Sequence, residues 1–548
     1  MREKKFSNPI IKGGYPDPSI CRVGEWYYLV TSSFSYFPGL PVFRSRDMVH
    51  WEQICNAISR SEQLDYRNCD ISEGLWAATI RHHKDRFYII NTLDVNGRTS
   101  RFNYIITADD PAGPWSDAII IEGADGIDPS LYFDDEGRIW YCSNTIPNEL
   151  IFPEQKQIYL CEIDPLTFQF SGERKIIFDA AVDHNYYMEA PHIYHIGDIY
   201  YLMTASGGTQ TNHCVNIYRS HDLFGPYEPC PRNPIVTNRN LPIVNRVGVS
   251  VAGHGDLVVT QKREWYMVLL GIRPYEAEVE DYDKFLPRMW IRTPDRNRKA
   301  QFNLGREVFL IPIAWDYDGW PIVDNSNGMV NLQERFPNLP EYHFPLQTRV
   351  DNFEESMLDM CWCMRRPVDE VFYSLNQRFG FLRMHLLPVK IEDLGTPAML
   401  VRRQQHNDFQ ISTALEFTAN CQGEEAGIAI LQNERFGYVL VKNWTEKGAA
   451  VSCYKIENGC RELLAEVLVE AERIYLTVEG DVGKYSFYYG TSEKQLIPVI
   501  ERTDGLLLSS LVADGYVGTY LGMYASSCGE FTENYADFDW FRYEIIEQ

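Results

Sequence analysis

EWYYLV (25–30), RFYIIN (86–91), RIWYCS (138–143), DIYYLM (198–203) and EWYMVLL (264–270) are five versions of one phrase. Each leaves a charged turn residue and enters a run of aromatic and β-branched side chains, the types that fit a pleated, half-buried surface. With Trp26, Phe87, Ile139, Ile199 and Trp265 as markers, the spacings are 61, 52, 60 and 66 residues. A second phrase alternates with the first: an Asp-containing turn followed by an aromatic. It reads SRDMVHW (45–51), TADDPAGPW (107–115), IDPLTFQF (163–170), SHDLFGPY (220–227) and, more loosely, TPDRNRKAQF (293–302). A period of roughly 40–65 residues holding several strands marks a propeller blade. Any all-β chain offers hairpins that look alike, but two interleaved signals with matched counts favour the repeat. Five units predict a five-bladed β-propeller over residues 1–325.

After Pro321 the pattern breaks. VDNSNGMVNLQERFPNLPEYHFP is polar, with scattered Pro, and residues 326–348 read as a linker. Residues 349–548 return to short strands, among them FGFLRMHL, FQISTALEFT, RIYLTVE and ADFDWFRYEI, without the blade period. That predicts a two-sheet β-sandwich. Helical periodicity is scarce, so the whole chain reads as all-β.

Composition narrows the function. Lys plus Arg number 51 and Asp plus Glu 76, a formal charge of −25. This argues against nucleic acid and against an anionic membrane surface. Aromatic residues make up 14% of the chain, and their flat faces suit sugar rings. The 13 cysteines show no C-x-x-C and no zinc-like spacing, and read as reduced, mostly buried thiols. MREKKFSNPIIKGG has no apolar core of a secretory signal, and no membrane-length apolar run occurs. A cytoplasmic location is expected. Nothing points to a nucleotide, a redox cofactor or a protein partner.

The chemistry sits about 8–12 residues before each marker, in the strands that should converge on the propeller axis. YPDPSI (15–20), GIDPSL (126–131) and MEAPHI (188–193) supply Asp17, Asp128 and Glu189; GLWAATI (74–80) supplies Trp76 and GHGDLV (253–258) supplies His254. One Pro-Asp-Pro or Asp-Pro-Ser alone is usually a surface turn. Three acids in register at one funnel raise each other's pKa, which a fold tolerates mainly at a working site. Paired carboxylates, one protonated and one ionised, point to hydrolysis of a glycosidic bond. A calcium loop would need a denser oxygen shell, and no EF-hand pattern is present.

These three motifs, in this order, resemble the base, modulator and acid motifs of glycoside hydrolase family 43. FGFLRMHL, PAMLVRRQQH and ADFDWFRY resemble the C-terminal sandwich of that family's two-domain β-xylosidases, which implies a sandwich of the concanavalin or laminin-G kind, so the likeness covers nearly the whole chain. By this resemblance Asp17 is the general base, Glu189 the general acid and Asp128 the pKa modulator, acting with inversion. Arg306, in LGREVFL, resembles a family arginine that binds sugar and neutralises carboxylate charge; Arg273, in LGIRPY, competes for that role. Phe34 and Trp76 fit as walls of the sugar subsite, although core packing is the commoner fate of such rings. Thr209, in SGGT, is a candidate substrate contact or a plain turn. His254 is either a hydrogen-bonded core residue or, as in parts of the family, a ligand of a central cation through water. Calcium is thus an option and not a requirement.

The resemblance also places a sandwich loop over the propeller mouth, with Tyr520, in GTYLG, as its aromatic. A channel blocked at one end releases terminal sugars. The implied activity is exo-hydrolysis of β-1,4-xylo-oligosaccharides from the non-reducing end, with an α-L-arabinofuranosidase side activity. The alternatives are a dedicated α-L-arabinofuranosidase and a non-catalytic carbohydrate-binding propeller. A homo-oligomer, dimer or tetramer, is also implied.

Overall fold

The computed structural model describes residues 4–97, 99–210, 212–239, 248–276, 300–345 and 349–546. Five four-stranded antiparallel sheets form the N-terminal part. Their innermost strands are Ser19–Val23, Gly74–His83, Ser130–Phe133, Glu189–Ile196 and Ser250–Val259, here blades I to V. Their second strands are Trp26–Val30, Arg86–Val95, Ile139–Thr145, Ile199–Ser206 and Trp265–Ile272, so every repeat marker sits at the start of one. Buried side chains fill the spaces between blades. Leu29, Phe43, Val268 and Leu310 pack between blades V and I, and Met203, Ile217, Met267 and Ile311 between IV and V.

The Asp turns join the third strand of a blade to its fourth. The carboxylates of Asp47, Asp110, Asp164 and Asp222 accept from the N–H two residues on, at 2.8–2.9 Å. The fifth turn is not where the sequence suggested. TPDRNRKAQF lies mostly outside the described residues, and its described end, Ala300–Gln301, precedes the third strand of blade V, Glu307–Trp315. The true counterpart is Asp316, which accepts from Asp318 N at 2.9 Å and Trp320 N at 2.8 Å. An excursion between the second and third strands of blade V delays the signal.

The C-terminal part packs an eight-stranded antiparallel sheet on a six-stranded one. Their facing sides bury Ile411, Leu476 and Phe538 against Leu400, Ile428 and Met523. The segment read as a linker carries a strand of its own. Gln333–Arg335 pairs with Lys5–Ser7, and Val330, Phe336 and Leu339 are buried, so it ties the N-terminus to the propeller. The two parts also share structure: Tyr36–Phe37 pairs with Met364–Arg365, and the Tyr36 and Tyr520 rings stack with centroids 3.6 Å apart. All 13 cysteines are free thiols and most are buried. Among the described residues no helix is long and apolar enough to cross a membrane.

Candidate active site

The site is built where the inner strands begin or bulge. Asp17 and Asp128 each lie two residues before an inner strand, and Glu189 opens a third. In blades II, IV and V the register slips between Leu75 and Ala78, Glu189 and His192, and Gly253 and Asp256. A bulge re-aims side chains that regular pleating would alternate, and bulges collect beside active sites. Asp17, Phe34, Asp128 and His254 hold φ values of 57°, 53°, 53° and 53°. Left-handed backbone is uncommon for non-glycine residues, and such strain clusters at functional sites. Gly253, just before His254, is required by close approach: a Cβ there would lie 2.6 Å from the buried His213 ring.

The resulting pocket, about 400 Å³ with its mouth, is lined by Asp17, Phe34, Trp76, Ala77, Ile127, Asp128, Glu189, Thr209, His254, Arg306 and Tyr516. Every site residue expected from sequence is in this set except Tyr520. That side chain is 1% exposed, held between Tyr36 and the Arg403 guanidinium in the core joining the two parts. The aromatic that reaches the pocket from the sandwich is Tyr516, four residues earlier. It stacks on Phe34 at 6.2 Å and meets Trp76 edge-on at 5.7 Å, so three rings form one wall. Ser72 Oγ accepts from Tyr516 N at 2.9 Å, and Arg306 donates to Tyr516 O at 3.3 Å. Sequence reading also passed over Ser32, in TSSFS, which donates to Asp17 at 2.5 Å.

The carboxyl groups are driven apart in acidity. Burial pushes Asp17 up, but Arg306 at 2.9 Å, His254 and the Ser32 hydroxyl outweigh it and hold the group below the ordinary Asp value. Glu189 is pushed up to about 7, first by burial and then by the negative charge of Asp17, against opposing effects of Arg306 and Lys156. Asp128 is driven well above its ordinary range by burial, then by Glu189 and Asp17. Burial lowers the His254 pKa against the opposing pull of Asp17, from which its Nδ1 lies 3.8 Å. The arrangement offers one ionised base, one acid protonated near neutrality and a third carboxyl beside the acid.

Arg273 does not share in this. It forms a two-pronged pair with Glu307 at 2.6 and 2.7 Å. The inner strands of blades I, II, IV and V meet in a different network, which sequence reading also missed. Asp256 accepts from Ser19 Oγ at 2.7 Å, Arg81 at 2.8 and 3.1 Å and Tyr194 at 2.6 Å, and Arg81 contacts His192 at 2.9 Å. Asp128, Glu189 and His254 each bring one potential metal-ligand atom within 4.8 Å of the others. Calcium takes six to eight oxygens. Two carboxyls with raised pKa and an imidazole do not by themselves make that shell. The residues do not fit a calcium cage, and no step here passes through one.

Paired carboxyls of opposed acidity in an aromatic-walled pocket, carried on a five-bladed propeller, define a glycoside hydrolase. Comparison with known proteins narrows the class. The sequence model for Glycosyl hydrolases family 43 matches residues 6–321, and that for the Beta xylosidase C-terminal Concanavalin A-like domain matches 350–544. The chain belongs to glycosyl hydrolases family 43. It is 35% identical to a xylosidase/arabinosidase of Butyrivibrio fibrisolvens, over 98% of this chain and 99% of that one. It is equally 35% identical to a non-reducing end alpha-L-arabinofuranosidase of Bacteroides ovatus, over 100% of this chain and 96% of the other. The crystal structure of a xylan beta-1,4-xylosidase from Bacillus halodurans superposes with a TM-score of 0.88 at 30% identity, covering 98% and 100% of the two chains.

Proposed function

We propose that the chain is an inverting exo-glycosidase that releases xylose from the non-reducing end of β-1,4-xylo-oligosaccharides, with an α-L-arabinofuranosidase side activity. The carrying observation is the split in acidity between Asp17 and Glu189 in a pocket whose wall is completed by Tyr516. Glu189 donates its proton to the leaving glycosidic oxygen. Asp17, kept ionised by Arg306, takes a proton from the water that attacks the anomeric carbon. Asp128 keeps the donor protonated and positioned. The Phe34, Trp76 and Tyr516 rings cover the sugar's apolar faces, and the wall they build confines the site to a chain end.

A dedicated α-L-arabinofuranosidase is the second reading, favoured by the Bacteroides ovatus relative at 35% identity. Initial rates on p-nitrophenyl β-xyloside and α-L-arabinofuranoside separate the two. We expect the xyloside to be the faster, and a chelator to leave both rates unchanged. Anomer-resolved NMR of the first product should show inversion; retention would remove Asp17 from the role of base. We also propose a cytoplasmic homo-oligomer acting on imported oligosaccharides. Thirteen free thiols suit a reducing compartment, and sedimentation and cell fractionation test these two points.

A further inference from the structure

Away from the pocket, the Asp turn of blade I meets the segment that leads toward the sandwich. We propose that His50, Glu341 and His343 bind a zinc-class transition-metal dication, which clamps residues 341–345 onto blade I. Each of the three residues offers a ligand atom within 4.8 Å of the others. The two imidazole rings lie 4.1 Å apart, tilted by 51°. His343 Nε2 is 3.0 Å from Glu341 Oε1, while the other carboxylate oxygen is taken by Lys4. One oxygen of Glu341 therefore faces the histidines.

The supporting observation is the carboxylate behind them. The Asp47 side chain is fully buried, and its Oδ2 lies 2.7 Å from His50 Nδ1. That contact fixes the tautomer and leaves Nε2 with its lone pair outward, the arrangement in which a carboxylate orients a metal-binding imidazole. The same Oδ2 accepts from Tyr342 N at 2.9 Å, between the two ligands of the second segment. A single buried group thus sets the position of both ligand-bearing segments before any metal arrives. Two imidazoles and one carboxylate suit zinc in preference to calcium or magnesium, with one position left for water. The site borders the groove between blade I and the sandwich, lined also by Trp51, Phe344 and Arg402, so the clamp acts where the two parts join.

The test uses the full-length, untagged chain with the exposed Cys421 and Cys460 changed to Ser. Glu189→Gln is added to weaken the pocket cluster as a competing site. Titration with zinc chloride should show one saturable site, and the melting temperature should rise with zinc concentration. His343→Ala, at a side chain 65% exposed, should weaken binding at least tenfold and abolish the thermal shift. Asp47→Asn should weaken binding about 10- to 100-fold. If that buried variant does not fold, His50→Gln replaces it, with the same expectation as His343→Ala. Absence of saturable binding, binding unaltered by His343→Ala and His50→Gln, or binding without a thermal shift overturns the proposal.

Discussion

Glu189 carries the sharpest consequences at the scale of one residue. Its proton must be in place for leaving-group departure, so kcat/KM falls as pH rises through about 7. Asp17 must be ionised, and its pKa is held below the ordinary Asp value, so the low-pH limb lies beneath the usual carboxylate range. Lys156 opposes the upward push on Glu189, so Lys156→Ala moves the upper limb to higher pH. A pH–rate profile on a soluble aryl xyloside checks all three statements. Glu189→Gln should cut xylobiose turnover by about 10²–10⁴-fold, the usual contribution of a positioned acid. The same change should stabilise the fold. A pKa raised from 4.5 to about 7 means that the native state holds the proton more tightly than the unfolded chain. Stability therefore declines as pH rises across that window. The variant should gain melting temperature over the parent at pH 8 and little at pH 4; equal melting temperatures at pH 8 would contradict the acid's raised pKa.

At the scale of elements, the decisive piece is the 514–519 loop. It is held by a backbone bond from Thr519 N to Asn303 O at 2.8 Å and by the Tyr516 contacts. Gly518 lets it settle on blade V: a Cβ there would lie 2.4 Å from Leu304 O. Gly518→Ala should lift the loop and cost about 1–3 kcal/mol, as overpacking usually does. Tyr516→Ala should leave stability nearly intact, raise KM for xylobiose several-fold and relax the preference for chain ends. Melting curves and product profiles on longer oligosaccharides distinguish the two effects. This loop also shows where sequence reading stopped. The blades were legible because each second strand starts from a charged turn into β-formers, a local signal repeated five times. The three acids were legible because corresponding points of a repeat must converge. Tyr516 and Tyr520 look alike in GYVGTYLG, and only docking of the loop on Gly305 and Leu304 decides which ring meets Phe34. The Asp256–Arg81 network was equally hidden: Ser19, His192 and Asp256 lie inside the inner-strand motifs, but a linear sequence does not show which of their side chains turn toward Arg81 and away from the pocket. The delayed Asp316 turn was masked by the excursion before it.

For the whole molecule, the question is whether propeller and sandwich act as two domains or as one. Domains within a chain move relative to each other unless their interface is large and well packed. Here the interface includes paired strands, the Tyr36–Tyr520 stack and a buried ion pair. Arg366 is 1% exposed, bonded to Glu434 at 3.1 Å and to the Cys69 carbonyl. Both charges belong to the sandwich part and reach the propeller through backbone: Glu434 accepts from Ile71 N at 3.0 Å. Ile71 adjoins Ser72, whose hydroxyl holds Tyr516, so a charge remote from the sugar supports the pocket wall. Removing one partner of a buried pair costs about 3–5 kcal/mol, because the other charge stays behind unpaired. Glu434→Ala should therefore lower the melting temperature and, below that temperature, raise KM more than it lowers kcat, since Asp17 and Glu189 are untouched. Glu434→Gln, which keeps an acceptor for Ile71 N, should recover part of the KM but less of the stability. The parent should unfold in one calorimetric transition. Two separate transitions in the parent, or a Glu434→Ala variant with unchanged KM, would show that the sandwich is an appended module and not a wall of the active site.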